Sequence, residues 1–227
     1  MMKHMTLKAI AAACGGTYYG PEENLETVIS GIAIDSRKIE TDWLFAATVG
    51  ERVDGHSFIE SCYEKGALCC LGEKEYAYDG HSYIQVASTF QALKDIAEYY
   101  RSTLEIPVVG ITGSVGKTST KEMIASVLGV KFNTLKTAGN FNNEVGLPLT
   151  VFNIRDEHEA AVLEMGISDF GEMHRLSKVA RPNICVITNI GFCHLEFLGD
   201  RDGVLRAKSE IFDFAADGAK AIVNGDD

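Results

Sequence analysis

Apolar positions along the chain fall into short runs separated by longer stretches with helical spacing. Runs at 28–34 and 43–47 read as strands, residues 57–65 as a helix, and runs at 67–71 and 83–87 as further strands. Residues 89–104 predict a helix in which Leu93, Ile96, Ala97 and Tyr100 share one face and Thr89 stands at the N-cap. Pro107 opens a strand through Val108, Val109 and Ile111, and a helical pattern follows Lys117. Further on, the pattern predicts helices at 143–152, 171–180 and 201–215 and strands at 160–165, 184–188 and 219–223. Near the N-terminus, Thr6 can cap a helix with Leu7, Ile10 and Ala11 on one face. Repeated strand–helix alternation implies an α/β fold with a parallel sheet covered on both faces. A boundary near 103–106 divides the chain into a small N-terminal α/β domain, 1–104, and a second parallel-sheet domain, 105–227. The sequence stops just after a strand, where a parallel α/β domain normally continues, so a truncated second domain is expected.

Composition changes this picture little. The 227 residues are 46% hydrophobic and 23% charged, as in ordinary soluble globular proteins. A formal net charge of −11 argues against general binding of nucleic acid or of anionic membranes. An anionic ligand would therefore need a local site built from basic or backbone groups. No apolar run approaches the ~20 residues of a membrane-spanning helix, and no membrane insertion is expected. The start, MMKHMTLKAIAAACGG, slightly resembles a secretion signal, but the capped helix after Thr6 favours the beginning of a folded domain. Cys14, Cys62, Cys69, Cys70, Cys185 and Cys193 form no CxxC pair or other metal-ligand spacing. They read as reduced thiols packed as small hydrophobes in a cytoplasmic protein, which is expected to be a monomer.

The candidate chemistry centres on residues 106–126, IPVVGITGSVGKTSTKEMIAS. An apolar strand enters a turn with glycines at 110, 113 and 116, followed by Lys117, Thr118 and a helix. Glycines let backbone N–H groups of a turn such as Gly113, Ser114, Val115 and Gly116 approach phosphate oxygens. The helix N-terminus at Lys117, Thr118 and Ser119 adds partial positive charge, Lys117 can reach terminal phosphates, and the Thr118 hydroxyl can ligate Mg²⁺. The general pattern GxxxxGK[ST] would place a glycine where the chain has Ile111. A glycine-rich connector without a ligand is the alternative.

Three other groups can complete a nucleotide-and-metal site. Glu164 ends the buried-type strand AVLEMG, and ligands of open parallel sheets bind at the carboxyl ends of strands. A carboxylate there can hold Mg²⁺, or it can be a solvated strand-end acid. His194 lies in TNIGFCHLE, directly after another apolar strand, where it can ligate metal or shuttle protons, or be merely exposed. Lys208 shares a helical face with Val204, Ile211 and Ala215. Either its stem lies along apolar surface with the head in water, or burial keeps the amine neutral enough to be chemically modified.

These residues carry a family resemblance. GITGSVGKTST (110–120), GNFNNEVGLPLT (139–150), LEMGIS (163–168), TNIGFCHLEFLG (188–199) and RAKSEIF (206–212) resemble, in order, the motifs of the Mur ligase family. DSRKI (35–39) and DGHSF (54–58) fit as well, so the resemblance covers essentially the whole chain. That family's loop reads T-G-x-x-G-K-T, so Ile111 is no departure from it. The GNFNNE segment points to the branch that joins D-alanyl-D-alanine to a UDP-N-acetylmuramoyl-tripeptide in peptidoglycan precursor synthesis.

The resemblance implies an N-terminal UDP-sugar domain (1–104), a central P-loop ATPase domain (105–227, incomplete) and a C-terminal domain absent from this sequence. It implies ATP-driven amide formation through an acyl phosphate, with no turnover by these 227 residues alone. It also implies that Lys117 binds the β- and γ-phosphates and that Thr118 and Glu164 hold a first Mg²⁺. His194 would ligate a second Mg²⁺, near Lys208 as a lysine carbamylated by CO₂. Asn140, Asn142 and Asn143 are implied as contacts of the nucleotide or the peptide-bearing substrate, and Ser36, Arg37, Asp54, Gly55, His56 and Ser57 as contacts of the UDP-sugar. Alternatives are another Mur-type ligase, tripeptide-forming or folylpolyglutamate-synthase-like, and a non-catalytic nucleotide-sugar binding module. No Asn-Lys-x-Asp guanine-reading motif supports a GTPase switch.

Overall fold

The computed structural model describes residues 2–77 and 80–227, which fall into two units, Met1–Thr103 and Leu104–Asp227. In the first unit, Thr6 Oγ1 accepts the Ala9 N–H at 3.1 Å and starts α1 (Leu7–Ala13), as its spacing predicts. There follow β1 (Thr17–Tyr19), β2 (Gly31–Ala33), β3 (Trp43–Ala46), α2 (Ile59–Glu64), β4 (Cys69–Gly72), β5 (Ser82–Gln85) and α3 (Thr89–Ser102). The sheet order is β1-β5-β4-β3-β2, with only β1 antiparallel to its neighbour. Phe45, Cys62, Cys70 and Tyr83 form the centre of its core. Burial pushes the Cys62 thiol up to about 11, so it packs as an uncharged apolar group.

The predicted cap of α3 is displaced by one residue. Ser88, in extended conformation, accepts the Gln91 N–H through its hydroxyl, and Thr89 is already helical. The Thr89 N–H and hydroxyl both donate instead to Glu73 Oε1, at 2.8 and 2.9 Å. A buried Thr with a carboxylate partner does not need to serve as the cap. The helix expected at 57–65 begins as a 3₁₀ turn, Gly55–Phe58, because Asp54 Oδ1 captures the His56 N–H at 3.0 Å.

The second unit runs β6 (Val108–Thr112), α4 (Lys117–Leu128), β7 (Thr134–Lys136), α5 (Gly146–Val151), β8 (Ala160–Glu164) and α6 (Glu172–Ala180). It continues through β9 (Ile184–Ile187), α7 (Leu195–Leu198), α8 (Arg201–Ser209) and β10 (Lys220–Val223). Its sheet is wholly parallel, in the order β10-β9-β6-β8-β7. The near-continuous apolar character of β6 and β8 suits strands buried on both faces. On one face Val109 and Ile111 pack with Ala125 of α4, Val162 and Val186. On the other, Gly110 is approached so closely by Met165 and Pro182 that a Cβ there would stand 2.7 Å from Met165 Cε. Central β6 lies between β8 and β9, so the segments leaving all three strands emerge side by side at one edge.

Two predicted helices are shorter than their patterns. Asn143 accepts N–H groups with its side chain, so α5 starts only at Gly146. Ser177 Oγ donates to the Ile211 carbonyl and accepts the Phe214 N–H, so α8 gives way to a 3₁₀ turn at Glu210–Phe212. Among the described residues no helix is long and apolar enough to cross a membrane, and all six cysteines are free.

Candidate functional site

The turn after β6 is held open by two glycines with different reasons for being glycine. Gly113 has φ +147°, and a Cβ there would lie 1.9 Å from Thr188 Oγ1. Gly116 has open space around it but φ +80°, a conformation that costs an L-residue with a side chain. Gly116 then starts α4 without a side-chain cap. The N–H groups of Gly116, Lys117, Thr118 and Ser119 have no partner among the described residues. Four N–H groups at a helix N-terminus favour an anion, by direct hydrogen bonding and by the helix dipole. The Lys117 ammonium folds back onto the Gly113 carbonyl at 2.8 Å, within the loop it can leave to meet a phosphate.

The loop is braced from the segment after β9. Ser114 N–H donates to the Asn189 carbonyl at 3.0 Å, and Val115 N–H to Asn189 Oδ1 at 3.1 Å. The Thr188 hydroxyl donates to the Val115 carbonyl at 2.6 Å. Gly191 N–H and the Cys193 thiol both donate to Ser114 Oγ, at 2.8 and 3.2 Å. The segment TNIGFC, directly before His194, therefore acts here chiefly as a clamp on the glycine loop. The Asn and Thr directly after a buried strand were its available signal.

Beside the loop, the Thr118 hydroxyl donates to Glu164 Oε2 at 3.0 Å, while the Asn142 amide donates to Oε1 at 2.9 Å. Thr137 Oγ1 accepts the Glu164 backbone N–H, fixing the strand end. Glu164 is only 3% exposed. Lys121, which sequence reasoning missed, is 2% exposed and has its ammonium 3.7 Å from Glu164 Oε2. One turn after Lys117 on the same helix face, it was legible only from i,i+4 spacing.

Thr118 and Glu164 offer hard oxygen donors, and Thr112 Oγ1, directly before the loop, is buried without a hydrogen-bond partner. Mg²⁺ retains several waters and takes one or two protein oxygens beside phosphate oxygens, so this donor set fits it. Among the described residues no three His, Cys, Asp or Glu side chains cluster as a metal cage.

Lys208 is 1% exposed, and its side-chain ammonium makes no hydrogen bond among the described residues. Burial pushes its pKa down to about 8; the Cys193 thiol opposes this and the Lys117 ammonium adds to it. His194 is not brought into this cluster by any hydrogen bond. It sits at φ +51° before α7, with its ring exposed and unpaired among the described residues. Asn140 is exposed and contributes its carbonyl to the Asn142 N–H, and Asn143 Oδ1 accepts from the Val145 and Gly146 N–H groups just ahead of α5.

In the first unit the predicted residues are largely engaged with one another. Arg37 forms a two-point pair with Asp35, which holds that carboxyl well below the usual range, and the Ser36 carbonyl accepts from Lys65. His56 Nδ1 is 2.6 Å from Asp54 Oδ1, while its Nε2 accepts the Glu73 N–H at 2.9 Å. Through these two contacts His56 ties its own turn to the segment after β4. Lys74 and His56 together hold the Asp54 carboxyl well below its usual range. Ser57 Oγ donates to the Asp54 carbonyl at 2.7 Å, and a Cβ on Gly55 would meet the Thr48 carbonyl at 2.8 Å.

A parallel sheet whose central strand feeds a glycine turn and an uncapped helix, with a hydroxyl–carboxylate pair alongside, defines a P-loop domain joined to a smaller α/β unit. The family model described as Mur ligase middle domain matches residues 111–227, more than half of the chain. A second, described as Mur ligase family, catalytic domain, matches residues 28–109. The chain belongs to the Mur ligase family.

It is 44% identical over 224 residues to a UDP-N-acetylmuramoyl-tripeptide–D-alanyl-D-alanine ligase of Bacillus subtilis, covering 98% of this chain and 49% of that protein. The Escherichia coli protein of the same name is 36% identical over 225 residues, 99% of this chain and 49% of its own length. A crystal structure of MurF from Acinetobacter baumannii superimposes with TM-score 0.86 at 36% identity, over 96% of this chain and 48% of that one. A MurF ligase from Thermotoga maritima in complex with ADP gives TM-score 0.79 at 35% identity, over 87% and 46%. The chain spans about half the length of the curated relatives it matches.

Proposed function

We propose that this chain carries the UDP-sugar-binding and ATP-binding parts of a cytoplasmic, monomeric ligase that joins D-alanyl-D-alanine to UDP-N-acetylmuramoyl-tripeptide. The boundary between those parts lies at 104/105. The observation that carries the reading is the cradle of four open N–H groups, Gly116 to Ser119, next to the Thr118–Glu164 pair. Its support among relatives is the high identity to ligases of that name and the likeness to an ADP-bound MurF.

In this reading the open N–H groups of Gly116, Lys117, Thr118 and Ser119 meet the β- and γ-phosphates of ATP, and Lys117 turns from the Gly113 carbonyl to neutralise them. Gly113, Ser114 and Val115 shape the loop around them, with the Ser114 and Val115 N–H groups held by Asn189. Thr118 and Glu164 would hold Mg²⁺, whose charge would offset the phosphate charge that repels the incoming carboxylate. That peptide carboxylate attacks the γ-phosphorus and ADP leaves, giving an acyl phosphate. The amine of D-alanyl-D-alanine then attacks the acyl carbon, phosphate leaves and the amine loses a proton. Ser36, Arg37, Asp54, Gly55, His56 and Ser57 shape the UDP-sugar end, and Asn140, Asn142 and Asn143 the segment nearest the peptide.

Lys208 fits a carbamylation site because it is buried, its amine makes no hydrogen bond among the described residues, and it is partly neutral near pH 8. Its amine forms a bond to the carbon of CO₂, one C=O π bond opens, and a proton goes to water. The anionic product offers oxygen donors where the ammonium offers none, and with His194 it would hold a second Mg²⁺.

Calorimetric titration of the purified chain with UDP-N-acetylmuramoyl-tripeptide and, separately, with MgATP tests the reading. Binding of both ligands is expected. Binding of the sugar nucleotide without MgATP would replace the ligase reading with that of a binding module.

A further inference from the structure

Lys121 and Glu164 are both almost fully buried, and they are each other's charged neighbours. The Lys121 ammonium lies 3.7 Å from Glu164 Oε2 and 3.2 Å from Glu122 Oε1. Glu122 is half exposed and pairs in turn with Lys136 of β7. Lys136 foremost, with Lys121 second, holds the Glu122 carboxyl below its usual range. A continuous series of alternating charges, Glu164, Lys121, Glu122 and Lys136, thus runs from the end of β8 to the surface.

The other groups on the Glu164 carboxylate are neutral: the Thr118 hydroxyl on Oε2 and the Asn142 amide on Oε1. Lys121 is therefore its counter-charge among the described residues, and it approaches the same oxygen that Thr118 contacts. A cation seated between Thr118 Oγ1 and Glu164 Oε2 would meet that ammonium at close range. The ammonium would orient the Glu164 carboxylate before the cation arrives and repel the cation once it is there. At such separations in a partly buried site, charge–charge energies are large enough to move a dissociation constant several-fold.

We infer that Lys121 is a positioning residue that sets the divalent-cation affinity of Glu164, and that Glu122 tunes it from the surface. With Glu122 ionised, the ammonium is shared between two carboxylates. Without that charge, it leans on Glu164 alone and competes harder with the metal. The inference rests on the reading of Thr118 and Glu164 as the metal site and deepens it.

The test is the dissociation constant of Mn²⁺ in the presence of saturating ADP, measured on the full chain by the electron-paramagnetic-resonance signal of free Mn²⁺. Lys121→Met is expected to tighten Mn²⁺ by about three- to tenfold, and Lys121→Arg to stay within about twofold of the parent chain. Glu122→Gln, an exposed change that keeps the core intact, is expected to weaken Mn²⁺ by about two- to threefold. It carries the test if Lys121→Met does not fold. Glu164→Gln separates the two claims. Retained Mn²⁺ affinity in Glu164→Gln overturns the site reading and this inference with it. Loss of Mn²⁺ in Glu164→Gln, with Lys121→Met and Glu122→Gln both indistinguishable from the parent, overturns the inference alone.

Discussion

Thr118 and Glu164, which lie on different elements 46 residues apart, meet through a 3.0 Å hydrogen bond from the hydroxyl to Oε2. One belongs to the first turn of α4, the other to the last position of β8, and the adjacency of β6 and β8 brings them together. The pair converts a phosphate cradle into a site that can also hold a metal.

Removing either partner should separate nucleotide binding from its metal dependence. Glu164→Gln and Thr118→Val are each expected to reduce the Mg²⁺-dependent gain in ATP affinity by about tenfold, ~1.4 kcal/mol. Affinity measured without Mg²⁺ should change little. Calorimetry with and without Mg²⁺ checks this, and an equal loss in both conditions would point to general damage of the loop.

Asn189 should matter for the rigidity of the glycine loop. Its side chain accepts the Val115 N–H at 3.1 Å and donates to the Val115 carbonyl at 3.2 Å. Asn189→Ala removes both bonds and is expected to cost about 1–2 kcal/mol of stability. Amide exchange at residues 114–116 should accelerate, a local effect that hydrogen-exchange mass spectrometry reads directly. Unchanged exchange there would remove the clamp from the account.

Lys208 makes a prediction about pH. Its pKa in the fold is about 8, lowered by burial from the ordinary 10.5, so the unfolded chain holds that proton more tightly. Stability linked to this group therefore rises as pH climbs from about 8 to 10.5, and the full cost of the buried charge is present below 8. In CO₂-free buffer, the stability advantage of Lys208→Met over the parent should be greatest near pH 7. It should shrink by on the order of 2–3 kcal/mol as pH approaches 10.5. Urea midpoints across this range check it, and a constant difference would place the amine in water.

With ¹³C-bicarbonate added, the parent chain should show a carbamate carbon resonance that Lys208→Met lacks. The same resonance in both proteins would assign the modification to another amine.

Much of this was legible in the sequence, because the strongest signals are local. The strand through Val108, Val109 and Ile111, the turn glycines and the helix from Lys117 stand where the pattern puts them. The α/β class follows from alternation along the chain. Three elements were missed: β1 and β7 have only three residues each, and α7 only four, too short to show a period. The boundaries of α5 and α8 moved because Asn143 and Ser177 form side-chain bonds whose partners no periodicity reveals. In the site, Lys117, Thr118 and Glu164 could be read from strand-end and loop positions. Lys121 and Asn189 left only weak signals, an i,i+4 spacing and a position directly after a strand, since their importance comes from contacts with Glu164 and Val115, on other segments.

The central claim is that the turn from Gly113 to Ser119 binds the phosphates of a magnesium nucleotide. Calorimetric titration of the purified chain and of Lys117→Ala with ATP, in the presence and absence of Mg²⁺, tests it most directly. The account predicts saturable binding by the parent chain that strengthens with Mg²⁺, and a loss of at least about tenfold in Lys117→Ala. Binding of equal strength in both proteins, or none in either, would contradict it.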